Sequence, residues 1–476
     1  MPSPIAQTVR LRSFRDLGLL LPVAALVLGP VGFLAWMGLG GGIGDLLARM
    51  NELGVMATVG RVFLLACSTT LLAATMGVPL AWLTVRSDLP ARRFIRWLVP
   101  LPLAIPPYIG AIVYQIVFAP AGPLNAFLAR TFGFSPETRI VSIYGVPGAA
   151  WVLSLFIFPY IFLLVAGGLE RMSPSLEEVA RATGMSRWAV FFQVTLPMLR
   201  PALLGGGLMV FLYAWADFGV VSLLRVRTLT TIVFDYVQGT MDWTIPASLS
   251  VFLTLITTAV LAIQLWILGG GTYAQVTSAS RPARPVPVGR WRIPAMLFGF
   301  LVLLCALGVP LGVLAYQASR LSVPAAWSFL SQQSSFIRNS VWTAASGATV
   351  AIFLALVIGW FQARRRIGRG VSIMFQIGYA IPGTVLGLGM VGFFQVALPW
   401  VYGSPIVLVL GYLVLFVTPA LQGAGAALAQ ISASLEDAAR GLGRGPLGTF
   451  WEVTFPLVRP GLVGSWVLVF ILCMRE

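Results

Sequence analysis

The chain has 476 residues, of which 58 % are hydrophobic and only 10 % charged, with a formal net charge of +16. An ordinary soluble domain carries about 45–50 % apolar and about 25 % charged residues, so the composition argues against a soluble protein. Every basic residue is arginine and histidine is absent, which removes the lysine of a Walker phosphate loop, any His-based triad and any His metal ligand.

Apolar runs of about 20 residues, the length of a helix that crosses the hydrocarbon layer, recur along the chain. The first, 17–38, follows Arg10, Arg12 and Arg15. That order resembles a signal peptide, but the run is long for a signal core and Pro22 and Pro30 interrupt it, so it reads as a retained first membrane helix. Spans at 58–83, 94–119, 144–167, 203–224 and 247–269 follow. The stretch 270–292, rich in proline and arginine, reads as an extended cytoplasmic linker. Beyond it come 293–316, 340–362, 371–398, 404–427 and 461–476, the last ending at Glu476 without a polar exit. Cys67, Cys305 and Cys473 lie singly in apolar runs and read as small buried hydrophobes rather than a disulfide or zinc framework.

With the N-terminus in the cytoplasm, the inside segments hold 22 of the 31 arginines, and each has at least three. The positive-inside rule therefore orients the chain with its N-terminus inside. The arginines sit in short clusters between apolar runs, without interleaved aromatics, so the positive charge is a topology signal and not a nucleic-acid surface.

Residues 173–217 align without a gap to 432–476, with 17 of 45 positions identical at an offset of 259. Upstream, PLAWLTVR around Trp82 corresponds to VIGWFQAR around Trp360, and AIPPYIG to AIPGTVL. The offset there is about 277, which gives the first half a longer external loop at 120–144. Both repeats run in the same direction, implying a pseudo-twofold axis along the membrane normal. The expected fold is an all-α polytopic membrane protein with two tandem parallel-repeat domains of about six helices each, the second truncated. The expected division is 1–56 for the tail and first helix, 57–269 for the first domain and 270–292 for the linker, then 293–338 for a helix with an external loop and 339–476 for the second domain.

The repeated segment reads as an amphipathic helix, a break and a second short helix. In the first copy Leu176, Val179, Ala180 and Thr183 share one face, flanked by Glu177, Glu178 and Arg181. Ser173 and Pro174 start the helix, Gly184 ends it, and Pro197 and Pro201 mark re-entry toward the membrane. In the second copy Leu435, Ala438, Ala439 and Leu442 form the face and Glu436, Asp437 and Arg440 the flank, followed by Gly443, Pro456 and Pro460. One such helix alone would read as resting on lipid headgroups. Two, with the acidic pair, glycine and proline at fixed spacing, argue for docking onto a matched pair of partner surfaces.

The strings EEVARATG…LP and EDAARGLG…FP resemble the EAA signature of permease subunits in ATP-binding-cassette importers, type I fold. Glu178, Val179, Ala180, Gly184, Leu196 and Pro197 match it with Val in place of the first Ala; Asp437, Ala438, Ala439, Gly443, Phe455 and Pro456 match it with Phe in place of Leu. The resemblance implies a transport subunit that is not itself an enzyme and binds no cofactor. ATP is then used by a cytoplasmic ATPase dimer, and substrate arrives from a periplasmic binding protein. It further implies a multi-pass protein among the lipids of a bacterial inner membrane. The residues expected to couple to the ATPase are Glu177, Glu178, Ala180, Gly184 and Pro197, with Glu436, Asp437, Ala439, Gly443 and Pro456.

Ala216-Asp217-Phe218-Gly219, Thr230-Thr231-Ile232 and YAIPGTVLGLG at 379–389 resemble the fused permeases of ferric-iron importers. Asp217 aligns with Glu476 in the internal repeat. Carboxylates in apolar spans are costly and usually functional, and two of them suit a hard cation such as Fe(III), so both are candidates for the translocation path. The alternative for Asp217 is a bond to local backbone or a pair with Arg225 or Arg227. No metal site is assigned. Thiamine, polyamine, sulfate and phosphonate importers are alternatives within the family. An ion-coupled secondary transporter is the alternative outside it, and would not need twin coupling loops.

Overall fold

The computed structural model describes residues 29–40, 42–52, 54–133, 141–172, 174–239, 243–269, 285–363, 381–429, 431 and 433–476. Regular structure among them is helical, apart from one isolated parallel bridge between Ser87 and Val286. Seven of these helices are long and apolar enough to cross a membrane, and two bent pairs would raise the number to nine. The protein is thus an all-α polytopic membrane protein. The described residues form two compact units, those within 48–235 and 259–326, and those within 1–47, 236–258 and 327–476.

The first unit is built on three helices, α1 (Val55–Arg86), α2 (Val146–Arg171) and α3 (Arg200–Ala216), each packed on the other two. The most apolar stretch of α2 is 72 % buried, against 33 % for α1, so α2 is the central element. Its Phe156, Phe158 and Phe162 are fully buried together with Leu65 and Leu80 of α1. Lipid tails are as apolar as these side chains, so association depends on close packing rather than on escape from water. Small residues provide it. A Cβ at Gly77 would stand 3.0 Å from the Phe158 carbonyl oxygen, and one at Gly206 2.8 Å from the Ile161 Cα.

The expected span 94–119 is not one straight helix. Arg92–Ala104 and Pro107–Val117 meet at 94°. Pro106 forces the preceding Ile105 into extended backbone (ψ 119°) and is itself extended (ψ 129°), after which Pro107 opens a new helix. The span Gly289–Ser319 contains a π turn at Leu304–Gly308, where the Cys305 carbonyl accepts the Tyr114 hydroxyl at 2.6 Å. The expected external loop 120–144 contains a helix, Pro123–Phe132; residues 134–140 lie outside the described part. Buried Asn125 fastens this loop, donating to the carbonyls of Phe118 and Ala119 and accepting from the Val141 amide at 3.1 Å. Of the linker, 270–284 lie outside the described residues. Its end is extended and pinned to the end of α1. The Val286 amide donates to the Arg86 carbonyl at 2.7 Å, and the Val288 amide to the Asp88 carboxylate at 2.8 Å.

The second unit repeats the trio with α4 (Ser334–Ala363), α5 (Pro405–Ala429) and α6 (Phe455–Arg475), again packed on one another. Trp466 of α6 donates its indole N–H to Thr349 of α4 at 3.0 Å. Helix Gly29–Leu39 belongs here; residues 17–28 of the expected first span lie outside the described part. A Cβ at Gly389 would stand 2.8 Å from the Pro30 carbonyl oxygen, and the Ser248 hydroxyl donates to the Gly38 carbonyl at 3.1 Å. Of the expected span 371–398, residues 371–380 lie outside the described part and Gly383–Ala397 is helical. Neither unit is a continuous stretch of sequence. The described residues of 259–326 join the first half of the chain, whereas those of 1–47 and 236–258 join the second.

Candidate functional site

The repeated segment forms the same local structure in both units. After α2 the chain extends at Met172, and the first loop helix runs Pro174–Ala182; Ser173 lies outside the described residues. The helix closes with a pair of reversed hydrogen bonds. The Gly184 amide donates to the Arg181 carbonyl at 3.0 Å, and the Met185 amide to the Ala180 carbonyl at 3.3 Å. This is a Schellman ending, and it puts Gly184 in the left-handed region at φ +86°. The second loop helix, Ala433–Gly441, ends alike, with the Arg444 amide donating to the Ala439 carbonyl at 3.1 Å and Gly443 at φ +82°. No atom comes within 4 Å of a Cβ built at either glycine, so backbone conformation and not space demands them.

The inner face of each loop helix is held by a carboxylate. Glu177 is 5 % exposed, and its Oε1 accepts the Thr195 hydroxyl at 2.9 Å. The same oxygen lies 3.9 Å from Nε of Arg86, itself 3 % exposed. The Arg86 guanidinium also donates to the carbonyls of Leu169 and Met172, both at 3.0 Å, and so ties the ends of α1 and α2 to the loop helix. In the second unit Glu436 Oε1 accepts the Thr454 hydroxyl at 2.7 Å. Thr195 and Thr454 are buried, and each is the last residue of a π turn, Phe191–Thr195 and Phe450–Thr454.

These contacts divide the expected amphipathic face. Ala180 and Ala439 do turn inward, but Val179 is 63 % exposed and Thr183, Leu435, Ala438 and Leu442 are exposed too. The reason is electrostatic. The surface beneath the first helix offers a buried arginine and a threonine hydroxyl, which draw in Glu177 and leave the apolar stripe outward. Glu178 is exposed. The side chains of Leu176, Asp437 and Arg440 lie outside the described part.

Both segments then lead into a span. Pro197 is half-buried, and the chain bends by 63° between Phe191–Met198 and α3, because Leu199 leaves helical geometry (ψ −4°). Pro456 is exposed, and Phe450–Arg475 runs on as one span.

Asp217 and the threonine run form a single structure. The Asp217 carboxylate accepts the amides of Val220 at 3.0 Å and Val221 at 3.2 Å, capping the short helix Gly219–Leu223. The Thr230 hydroxyl donates to the Asp217 carbonyl at 2.8 Å and shares a hydrogen bond with Thr228. The Thr228 amide donates to Thr231. This is the local-backbone arrangement weighed as the alternative for Asp217. Glu476 is exposed and lies beside Gly383, 3.9 Å from the place a Cβ would occupy.

Sequence reasoning did not single out Arg86, Thr195 or Thr454. The signal was present. Thr195 and Thr454 are identical across the repeat, and Arg86 closes the PLAWLTVR string whose counterpart ends at Arg364, which lies outside the described residues.

Residues 73–269 and 347–476 match the family described as binding-protein-dependent transport system inner membrane component. The chain is 27 % identical over 436 residues to the Fe(3+)-transport system permease protein FbpB 2 of Haemophilus influenzae, covering 90 % of this chain and 80 % of that one. It is 25 % identical to the ferric transport system permease protein FbpB of Actinobacillus pleuropneumoniae, over 79 % of this chain and 57 % of the relative. A probable sulfate transport system permease protein, cysT of Marchantia polymorpha, is 31 % identical over 182 residues, or 38 % of this chain and 60 % of the relative.

Proposed function

Because the chain belongs to the family of binding-protein-dependent transport system inner membrane components, we propose that it is the membrane-spanning subunit of an ATP-driven importer of ferric iron. The observation that carries the ATP-driven reading is the loop helix present in both matched segments, closed by a left-handed glycine and bearing exposed apolar residues, joined in the first copy by exposed Glu178. A cytoplasmic ATPase dimer would seat one loop helix in a groove of each subunit, using Glu178, Val179, Leu435 and Leu442. Closure of that dimer on ATP would displace both helices and exchange inward- and outward-facing states. ATP chemistry belongs to that partner, and a periplasmic binding protein delivers the substrate. The chain lies in a bacterial inner membrane with its N-terminus in the cytoplasm, as the arginine distribution favours. The iron reading is supported by the extent of the match to a ferric permease, 90 % of this chain.

The test is reconstitution of the chain with the ATPase and binding protein encoded beside it. Uptake of Fe(III) into proteoliposomes that requires ATP is the expected result. ATP-dependent uptake of sulfate or another oxyanion would replace the substrate reading, for which the similarity to the sulfate permease is the specific support. Uptake of thiamine or a polyamine would replace it likewise. Uptake driven by an ion gradient without the ATPase would overturn the class.

A further inference from the structure

The two acidic residues of the first pair have different surroundings. Glu178 is exposed on the outer face of its helix. Glu177 points inward and is held by the hydroxyl of Thr195, eighteen residues later. The same eighteen-residue bond joins Glu436 to Thr454. In both copies the donor ends a π turn, where the main chain leaves regular α-helical hydrogen bonding just before the following span. In both it is buried, Thr195 to 2 % exposure and Thr454 to none. A π turn is a local weak point in a helix, so without a cross-link it would absorb a push instead of transmitting it.

We propose that Glu177 with Thr195, and Glu436 with Thr454, are positioning residues that clamp each loop helix across the π turn to the span behind it, so that movement of the loop helix becomes movement of the span. This rests on the loop helices being the ATPase-coupling elements. It adds that the first acidic residue of each pair serves the inside of the permease, while in the first copy exposed Glu178 is left for the partner. Arg86 strengthens the clamp in the first unit by fixing Glu177 to the ends of α1 and α2.

The test uses the full transporter reconstituted with its ATPase and binding protein. In the Thr195→Val, Thr454→Val double variant the isosteric change removes only the hydroxyl. We expect the ATPase to co-purify as with the unaltered chain and hydrolysis to continue. Substrate transported per ATP should fall by about fivefold or more, the lower end of ordinary coupling energies. Serine at both positions, which restores the donor, should restore the ratio. The two single variants should give intermediate ratios, so the test survives misassembly of the double variant. An unchanged ratio in the valine variants, or a loss that serine does not repair, overturns the clamp. Failure of the coupling reading itself would look different: the ATPase would then remain bound, and the ratio unchanged, in Val179→Asp, Leu442→Asp.

Discussion

Asp217 shows how one residue type can carry opposite meanings. An acid within an apolar run is the strongest single pointer to a transport path that this sequence contains. In the fold its carboxylate is occupied by the amides of Val220 and Val221, and its carbonyl by Thr230. A cap of this kind can be supplied equally by asparagine, whereas alanine costs about 0.5–2 kcal/mol. Asp217→Asn should therefore leave thermal stability in detergent and Fe(III) uptake close to those of the unaltered chain, while Asp217→Ala lowers the unfolding midpoint. Loss of uptake in a stable Asp217→Asn variant would return this carboxylate to the path. A bond from Asp217 to local backbone was already open as an alternative, but the Glu177 clamp was not legible from the residues alone, because it depends on a partner that hydropathy and helical periodicity ignore.

At the scale of elements, the sequence was most informative about what is local. The centres of the spans follow from run length, and the glycine that closes each loop helix follows from its position after the acidic pair. The structure adds that both glycines sit at positive φ in the same Schellman ending. Valine in that conformation is strained by roughly 1–3 kcal/mol. Gly184→Val with Gly443→Val should let each helix end unravel or re-aim, reducing ATPase co-purification and transport together. Full retention of both would show that the turn does not seat the helix. Direction was the illegible part. Hydropathy places residues 94–119 in the membrane but is blind to the 94° bend, although the pair Pro106-Pro107 is its cause. The outward turn of Val179 and Leu442 agrees with a stripe meant for a partner surface, but the inward turn of Ala180 and Ala439 on the same face was not legible.

For the whole molecule, the internal repeat predicted two tandem parallel-repeat domains, and α1–α3 and α4–α6 form equivalent trios, one in each unit. The exchange of segments between halves was not predictable. A uniformly apolar helix such as Gly29–Leu39 carries no sequence label for its neighbour, since in lipid any close-packed surface will serve. The exchange has a direct consequence. If the chain is divided within 270–284 and both pieces are co-expressed, each compact unit still needs described residues from both pieces: those of 29–47 and 236–258 with those of 327–476, and 285–326 with those of 48–235. The pieces should co-purify in mild detergent from a tag on either one. Their separation would mean that each half is self-sufficient.

The placement of Gly29–Leu39 also sets a timetable for biogenesis. This helix is synthesised well before the surface it packs against, around Gly389. At ordinary rates of about 5–20 residues per second, the intervening chain takes roughly 20–70 s to translate. Through that interval the helix must be held by lipid or by the insertion machinery while other apolar surfaces pass it. An early helix that found a substitute partner would leave the second unit unfinished, so the order of translation, as much as the final contacts, decides whether the transporter assembles.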